Sequence, residues 1–318
     1  MGTARRLAGL ALCAALTAPF GGGQVAVDPR KQPAASPERS QRPNLRVDTN
    51  LVLVPVTVCD PMNRPVTGLE KENLRVLENN VEQTITHFAM DDEPVAVGLA
   101  FDVSGSMGAK LGMSRLAAGA FFRLANPEDE FFLILFDDRP RLVVPLTQDT
   151  GEIKSQITFT SSKGSTALVD AVVLGLHELK KSKLTRKALL IISDGGENNS
   201  RYNDRELRDL VRESDALIYA IGVFGGGART REEYEGPRYL TGMVEQSGGR
   251  MLPAAANELP DIAAKIGIEL RNRYILGYSP ANQQRDGRYH PVQVKVVPPR
   301  GLPPLKAFWR RGYYAPSD

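Results

Sequence analysis

Short apolar runs rich in Val, Ile, Leu and Phe recur from Leu45 onward, and what separates them changes twice along the chain. Up to Met90 the separators are turns. RVDTNLVLVPVTVCD is dense in Val and Thr, as strands are, and PMNRPVTG after it is turn chemistry. NLRVLENNVEQTITHFAM reads as two strands around Asn79–Asn80, a hairpin signal. From Glu93 to Arg271 the runs alternate instead with segments of helical period. VAVGLAFD leads to a helix near 109–124, then FFLILF and RLVVPL, a helix near 167–180, KALLIIS and a helix near 204–213. ALIYAIGV, a helix near 238–247, the short run RMLP and a helix near 258–271 complete the region. Beyond it YILGYSP, HPVQVKVVPP and PLKAFWRRGYYA are strand-like again.

Strands alternating with helices imply a mostly parallel sheet covered on both faces. RLVVPL follows FFLILF after only DDRP, too short for a crossover, so this pair forms an antiparallel hairpin. Neither β-rich flank has enough strands to bury a core alone. The expected fold is therefore α/β: a doubly wound, mostly parallel sheet with one antiparallel edge hairpin. It is inserted in a small antiparallel β-sandwich built from the N- and C-terminal flanks. The organisation expected is a leader over 1–23, a flexible linker over 24–45, the sandwich from 46–92 plus 272–316, and the α/β domain over 94–271. In the last helix Leu259, Ile262, Ala263, Ile266 and Leu270 mark one packed face, while Gly267 weakens it by about 1 kcal/mol relative to Ala. A weakly held helix at the domain junction is expected to shift between two positions.

Composition narrows the classes. With 42% hydrophobic and 24% charged residues the chain is globular rather than disordered. Lys plus Arg is 40 against 37 for Asp plus Glu, and this near-balance argues against a nucleic-acid partner. Arg5 and Arg6, the apolar LAGLALCAALTAPF and Gly21–Gly23 follow the order of a secretory signal, so export to the periplasm or the exterior is expected, with no membrane span after cleavage. Residues 25–44 are rich in Pro, Arg, Ser and Gln, a linker composition. Of the two cysteines Cys13 lies in the leader, which leaves Cys59 alone in the mature chain.

Open α/β sheets build their sites at the carboxyl ends of strands, where strand order reverses. Asp102, Ser104 and Ser106 follow the first such strand, Thr166 lies in the loop GST before a helix, and Asp194 follows KALLIIS. The set offers carboxylates and hydroxyls. A serine nucleophile needs a base, yet the three histidines His87, His177 and His290 follow no strand end of the α/β region, and no G-x-S-x-G elbow surrounds Ser104. KGST at 163–166 has its lysine before the glycine, unlike a P-loop. Oxygen ligands suit a hard cation, Mg²⁺ first, with Mn²⁺ or Ca²⁺ as alternatives. Lys110, Lys163, Asp138 and Glu197 are candidates for a ligand-binding rim.

D-x-S-x-S at Asp102, Ser104 and Ser106, the Thr of GSTAL and the Asp of IISDGGEN resemble the metal-ion-dependent adhesion site of the von Willebrand factor type A family, over about 94–271. RNRYILGYSP and WRRGYYAP resemble the secreted bacterial branch of that family. The resemblance implies that Ser104, Ser106 and Thr166 donate hydroxyl ligands and that Asp102 and Asp194 act directly or through water. Gly108, Ala109 and Lys110 stand where integrin-type members carry acids, so it implies no second metal beside the first. It implies a non-enzymatic, metal-dependent binding module for adhesion or envelope-complex assembly, which captures an Asp or Glu of a partner protein. The alternatives are a divalent-metal-dependent hydrolase or phosphoryl-transfer enzyme, and a scaffold that a metal only steadies.

Overall fold

The computed structural model describes residues 51–224, 231–282 and 285–317. The expected leader and linker, and residues 46–50, lie outside the described residues. The first flank contributes β1 (Val52–Cys59), β2 (Leu74–Glu78), β3 (Val81–Gln83) and β4 (Ile85–Asp91). Asn79 and Asn80 both take positive φ (50° and 64°), which a two-residue type I′ turn between β2 and β3 requires. The middle of the chain follows as β5 (Val95–Asp102), α1 (Leu111–Phe122), β6 (Glu130–Phe136), β7 (Pro140–Thr147), α2 (Thr150–Phe159), α3 (Leu168–Leu179), β8 (Arg186–Ser193), α4 (Asp204–Glu213), β9 (Leu217–Val223), α5 (Arg231–Val244), β10 (Met251–Ala254) and α6 (Leu259–Arg271). The last flank adds β11 (Arg273–Tyr278), β12 (Tyr289–Val296), β13 (Lys306–Trp309) and β14 (Gly312–Tyr314).

The central sheet has the order β10-β9-β8-β5-β6-β7, and β7 alone runs antiparallel, against β6. Its middle strands are apolar at their central positions because both faces are covered. Val95, Val97, Leu99 and Phe101 of β5 enter one core with α1, α2 and α6; Ala96 and Ala100 enter the other with α3, α4 and α5. From β5 the chain winds outward to β6 on one side, and after α3 it returns to β8 on the other. The β5–β8 pair is thus the point where the winding reverses.

The flanks form two four-stranded sheets, β13-β1-β11-β4 and β14-β12-β2-β3, which share a core of Val54, Val56, Val76, Leu276, Val292 and Val294. β1 lies between β11 and β13, so a first-flank strand is held on both edges by second-flank strands.

Two elements differ from the sequence expectation. α2 was not anticipated, because its Ile and Thr content argues for strand. Its local signal is Asp149 three residues before Glu152, and the Asp149 side chain does accept the Gly151 amide at 2.8 Å. The helix expected near 238–247 begins at Arg231 and carries Pro237 inside it.

Candidate metal centre

Asp102 ends β5, and Asp194 directly follows Ser193 at the end of the neighbouring β8. Three loops meet above these tips, and backbone hydrogen bonds stitch them together. The Gly105 amide donates to the Gly164 carbonyl at 3.0 Å and the Lys163 amide to the Val103 carbonyl at 2.8 Å, and the Asn198 amide reaches the Thr166 carbonyl at 3.1 Å. Gly164 takes φ +75°, and a Cβ there would stand 2.7 Å from Asp138 Oδ2, so this crossing admits no side chain.

Asp102 and Asp194 are wholly buried, Ser104 and Thr166 nearly so, and Ser106 is exposed. Asp102 Oδ1 accepts the Ser104 amide at 2.8 Å and Oδ2 accepts the Ser193 hydroxyl at 2.5 Å. Burial, reinforced by the charge of Asp194, pushes the Asp102 carboxyl up to about 6 against the lowering effect of the bonds from Ser104 and Ser193. Ser104 Oγ and Ser106 Oγ stand 3.2 Å apart. Two ligands at right angles on Mg²⁺ would be separated by about 3.0 Å, so this pair has the spacing of one edge of an octahedron. Thr166 Oγ1 and Asp194 Oδ1 both border the Cα of Gly196, where an added Cβ would lie 3.4 and 3.5 Å from them. Among the described residues no cluster of three or more His, Cys, Asp or Glu is arranged to hold a metal. The fit of a cation here rests on two carboxylates and three hydroxyls, a hard-oxygen set whose buried negative charge calls for a positive partner.

The rim candidates divide in the structure. Lys110 is not at a rim: its Nζ lies 2.7 Å from Asp194 Oδ2, with the lysine side chain 12% exposed. Glu197 braces the third loop onto α3, its Oε2 accepting the Val169 amide at 2.8 Å and the Ser200 hydroxyl at 2.7 Å. Asp138 Oδ1 accepts the Ser165 amide at 2.7 Å, so this exposed carboxylate shapes the second loop. Lys163 is exposed.

Three contributors were not singled out from sequence. Ser193 bridges Asp102 to the Gly195 amide, which donates to Ser193 Oγ at 3.0 Å. Asn198 Oδ1 accepts the Thr166 amide at 2.9 Å. Gly236 of α5 backs the third loop, since a Cβ there would stand 2.3 Å from the Asp194 carbonyl oxygen. Ser193 and Asn198 flank the Asp of IISDGGEN and were visible as its polar neighbours; nothing local marks Gly236.

Residues 98–197 match the family model of the von Willebrand factor type A domain. A curated but uncharacterized protein of Synechocystis sp. is 30% identical over 134 residues, which cover 41% of this chain and 32% of that protein. The chain thus spans about a third of the length of the curated relative it matches. Among solved structures, a von Willebrand factor type A protein from Catenulispora acidiphila aligns at TM-score 0.49 with 12% identity, over 76% of each chain. The vWF domain of the type V pili tip protein Mfa5 from Porphyromonas gingivalis aligns at TM-score 0.43 with 13% identity, over 58% of this chain and 98% of that one.

Proposed function

We propose that this chain is an exported, metal-dependent protein-binding module, serving adhesion or the assembly of an envelope complex. One observation carries the reading. Two buried carboxylates, Asp102 and Asp194, and the hydroxyls of Ser104, Ser106 and Thr166 stand on three interlocked loops at the carboxyl edge where the winding of the sheet reverses, and Ser106 opens the cluster to solvent. The type A domain match over 98–197 supports the same reading.

The oxygen set suits Mg²⁺, with Mn²⁺ or Ca²⁺ as alternatives. Ser104, Ser106 and Thr166 would hold the ion directly, and Asp102 and Asp194 directly or through water. When bound it would supply an incompletely neutralised positive charge that an Asp or Glu of a partner protein can reach. The chain's own part is to keep the acceptors fixed. Ser193 and the Ser104 amide hold Asp102, Asn198 holds the Thr166 backbone, and Gly236 leaves room for the Asp194 loop.

The reading is non-catalytic. His87 and His290 lie in β4 and β12 of the flanking sheets. His177 sits in the last turn of α3, about 14 Å along the helix from its start beside Thr166. No imidazole therefore stands ready as a base for Ser104 or Ser106. The order of basic, apolar and small residues over 5–23 supports export. Among the described residues no helix is long and apolar enough to cross a membrane.

The test is capture from an envelope extract by the immobilised protein, with Mg²⁺ and with EDTA in parallel. The expected result is a partner retained with Mg²⁺ and released by EDTA, lost when Asp102 is replaced by Ala. Capture that persists unchanged in EDTA and in that variant refutes the metal-dependent reading.

A further inference from the structure

We propose that Lys110 is a cation tethered inside the site, which holds Asp194 until a divalent ion displaces it. The inference rests on the metal reading above and adds what that reading lacks: a competitor built into the chain. Lys110 Nζ stands 2.7 Å from Asp194 Oδ2, with side-chain exposures of 12% for the lysine and 0% for the aspartate. A lysine this covered is placed, because an ammonium leaves water only for a partner.

Three features make the arrangement exchangeable. First, the backbone at Lys110 is fixed independently of its head group. Its amide donates to the Met107 carbonyl at 2.8 Å, and its carbonyl accepts the Ser114 amide at 3.0 Å and the Ser114 hydroxyl at 3.1 Å. The four-carbon stem can swing without disturbing the loop that carries Ser104 and Ser106. Second, Lys110 occupies the N-cap position of α1, and the first turn of that helix holds no acidic residue. A positive charge at a helix N-terminus is opposed by the macrodipole, so Asp194 offsets an otherwise unfavourable placement. Third, Asp102 is satisfied by neutral donors, the Ser104 amide and the Ser193 hydroxyl. A divalent ion taken up by Asp194 beside the ammonium would set like charges together at a buried carboxylate, and exchange removes that repulsion. Lys110 thereby sets the divalent-ion concentration at which the site loads.

Calorimetric titration with Mn²⁺ of the wild type, Lys110→Met and Lys110→Arg tests this. Met keeps the bulk and removes the charge; Arg keeps the charge. Lys110→Met is expected to bind Mn²⁺ roughly tenfold tighter or more, on the scale of one charge–charge interaction at a partly buried site, while Lys110→Arg gains nothing. Binding by Lys110→Met and none by the wild type also supports the proposal. Equal or weaker binding by folded Lys110→Met, with the wild type still binding, overturns the tethered-cation role and leaves the metal reading intact. No binding by any of the three, each folded by circular dichroism, overturns both. A second readout follows the amine itself. Reductive methylation of Lys110, read by mass spectrometry, is expected to accelerate when Mn²⁺ is added, and a rate indifferent to Mn²⁺ overturns the displacement.

Discussion

Gly98 shows how one position decides the packing around it. It lies inside β5, and a Cβ there would stand 2.2 Å from Phe132 Cζ on the neighbouring β6, so the aromatic ring fills the space that a side chain would take. Gly98→Ala is expected to lower stability by about 1–3 kcal/mol through overpacking, measured as a lower urea midpoint at unchanged slope. Gly236 plays the same part beneath the candidate site, where the atom met would be the Asp194 carbonyl oxygen. That neighbour is backbone and cannot rotate away, so Gly236→Ala is expected to move the third loop and weaken Mn²⁺ binding while the sheet stays folded. At Asp102 the expectation is sharper. The residue sits at a strand tip and contributes little apolar packing, so Asp102→Ala should keep the far-ultraviolet dichroism of the wild type. It should lose Mn²⁺ affinity by roughly a hundredfold or more, since even outer-sphere partners of a metal contribute ten- to hundredfold; calorimetry measures it.

Among the elements α6 has the bounds its sequence suggests but more anchors than its apolar face alone implies. Gly267 marked it as a weak helix able to slide. The structure gives that glycine a packing role: a Cβ there would lie 2.8 Å from Leu124 Cδ1, and its absence lets α6 approach the segment after α1. The C-terminal half is anchored as well. Arg271 bonds the Leu124 carbonyl at 2.9 Å and pairs with the buried Asp129, and Arg186 bonds the Leu270 carbonyl. Glu269, wholly buried, accepts Arg250 Nε at 2.9 Å and the Tyr219 hydroxyl at 3.1 Å. Arg250 in turn reaches Asn63 Oδ1, in the turn after β1, at 3.0 Å and stacks 5.0 Å from the Phe308 ring of β13. These contacts fasten α6 to both parts of the fold. Glu269→Gln leaves the Arg250 charge buried without its counter-charge and is expected to cost about 3–5 kcal/mol by urea unfolding. A loss below about 1 kcal/mol, the scale of a surface pair, would show that the anchor is loose.

At the scale of the molecule the two flanking sheets are tied by a polar cluster as well as by their core. Glu78 of β2 receives the Tyr278 hydroxyl from the opposite sheet at 2.7 Å and the Tyr313 hydroxyl at 3.1 Å, and its other oxygen lies 2.9 Å from His290 Nδ1. His290 Nε2 lies 3.3 Å from Asp286. The hydrogen bond to Glu78 raises the His290 pKa above its ordinary value; burial opposes this and Asp286 assists it. The protonated form is therefore favoured by folding. Its stabilisation is full below about pH 6.5, the ordinary value, and is lost as pH rises through the folded-state value. The melting temperature of the wild type is expected to fall as pH rises above about 6.5 by a component that His290→Gln lacks. Parallel pH profiles for the two proteins would remove His290 as its source.

Much of this architecture could be read in the sequence because its causes are local. A strand covered on both faces must be apolar along its buried length, so VAVGLAFD and KALLIIS announce themselves, and the short DDRP link leaves RLVVPL only an antiparallel course beside FFLILF. Asp102, Ser104, Ser106, Thr166 and Asp194 could be listed as site candidates because winding rules alone place strand tips on one edge. What the pattern could not settle depends on partners remote along the chain. Lys110 meets Asp194 across 84 residues and enters the site, where a local reading leaves it on the rim. Glu197 turns to cap α3 across 28 residues, and Arg250 reaches Asn63 across 187. A long charged side chain can bend toward any of several neighbours, and only the packed tertiary structure determines which of them is within reach and shielded from water.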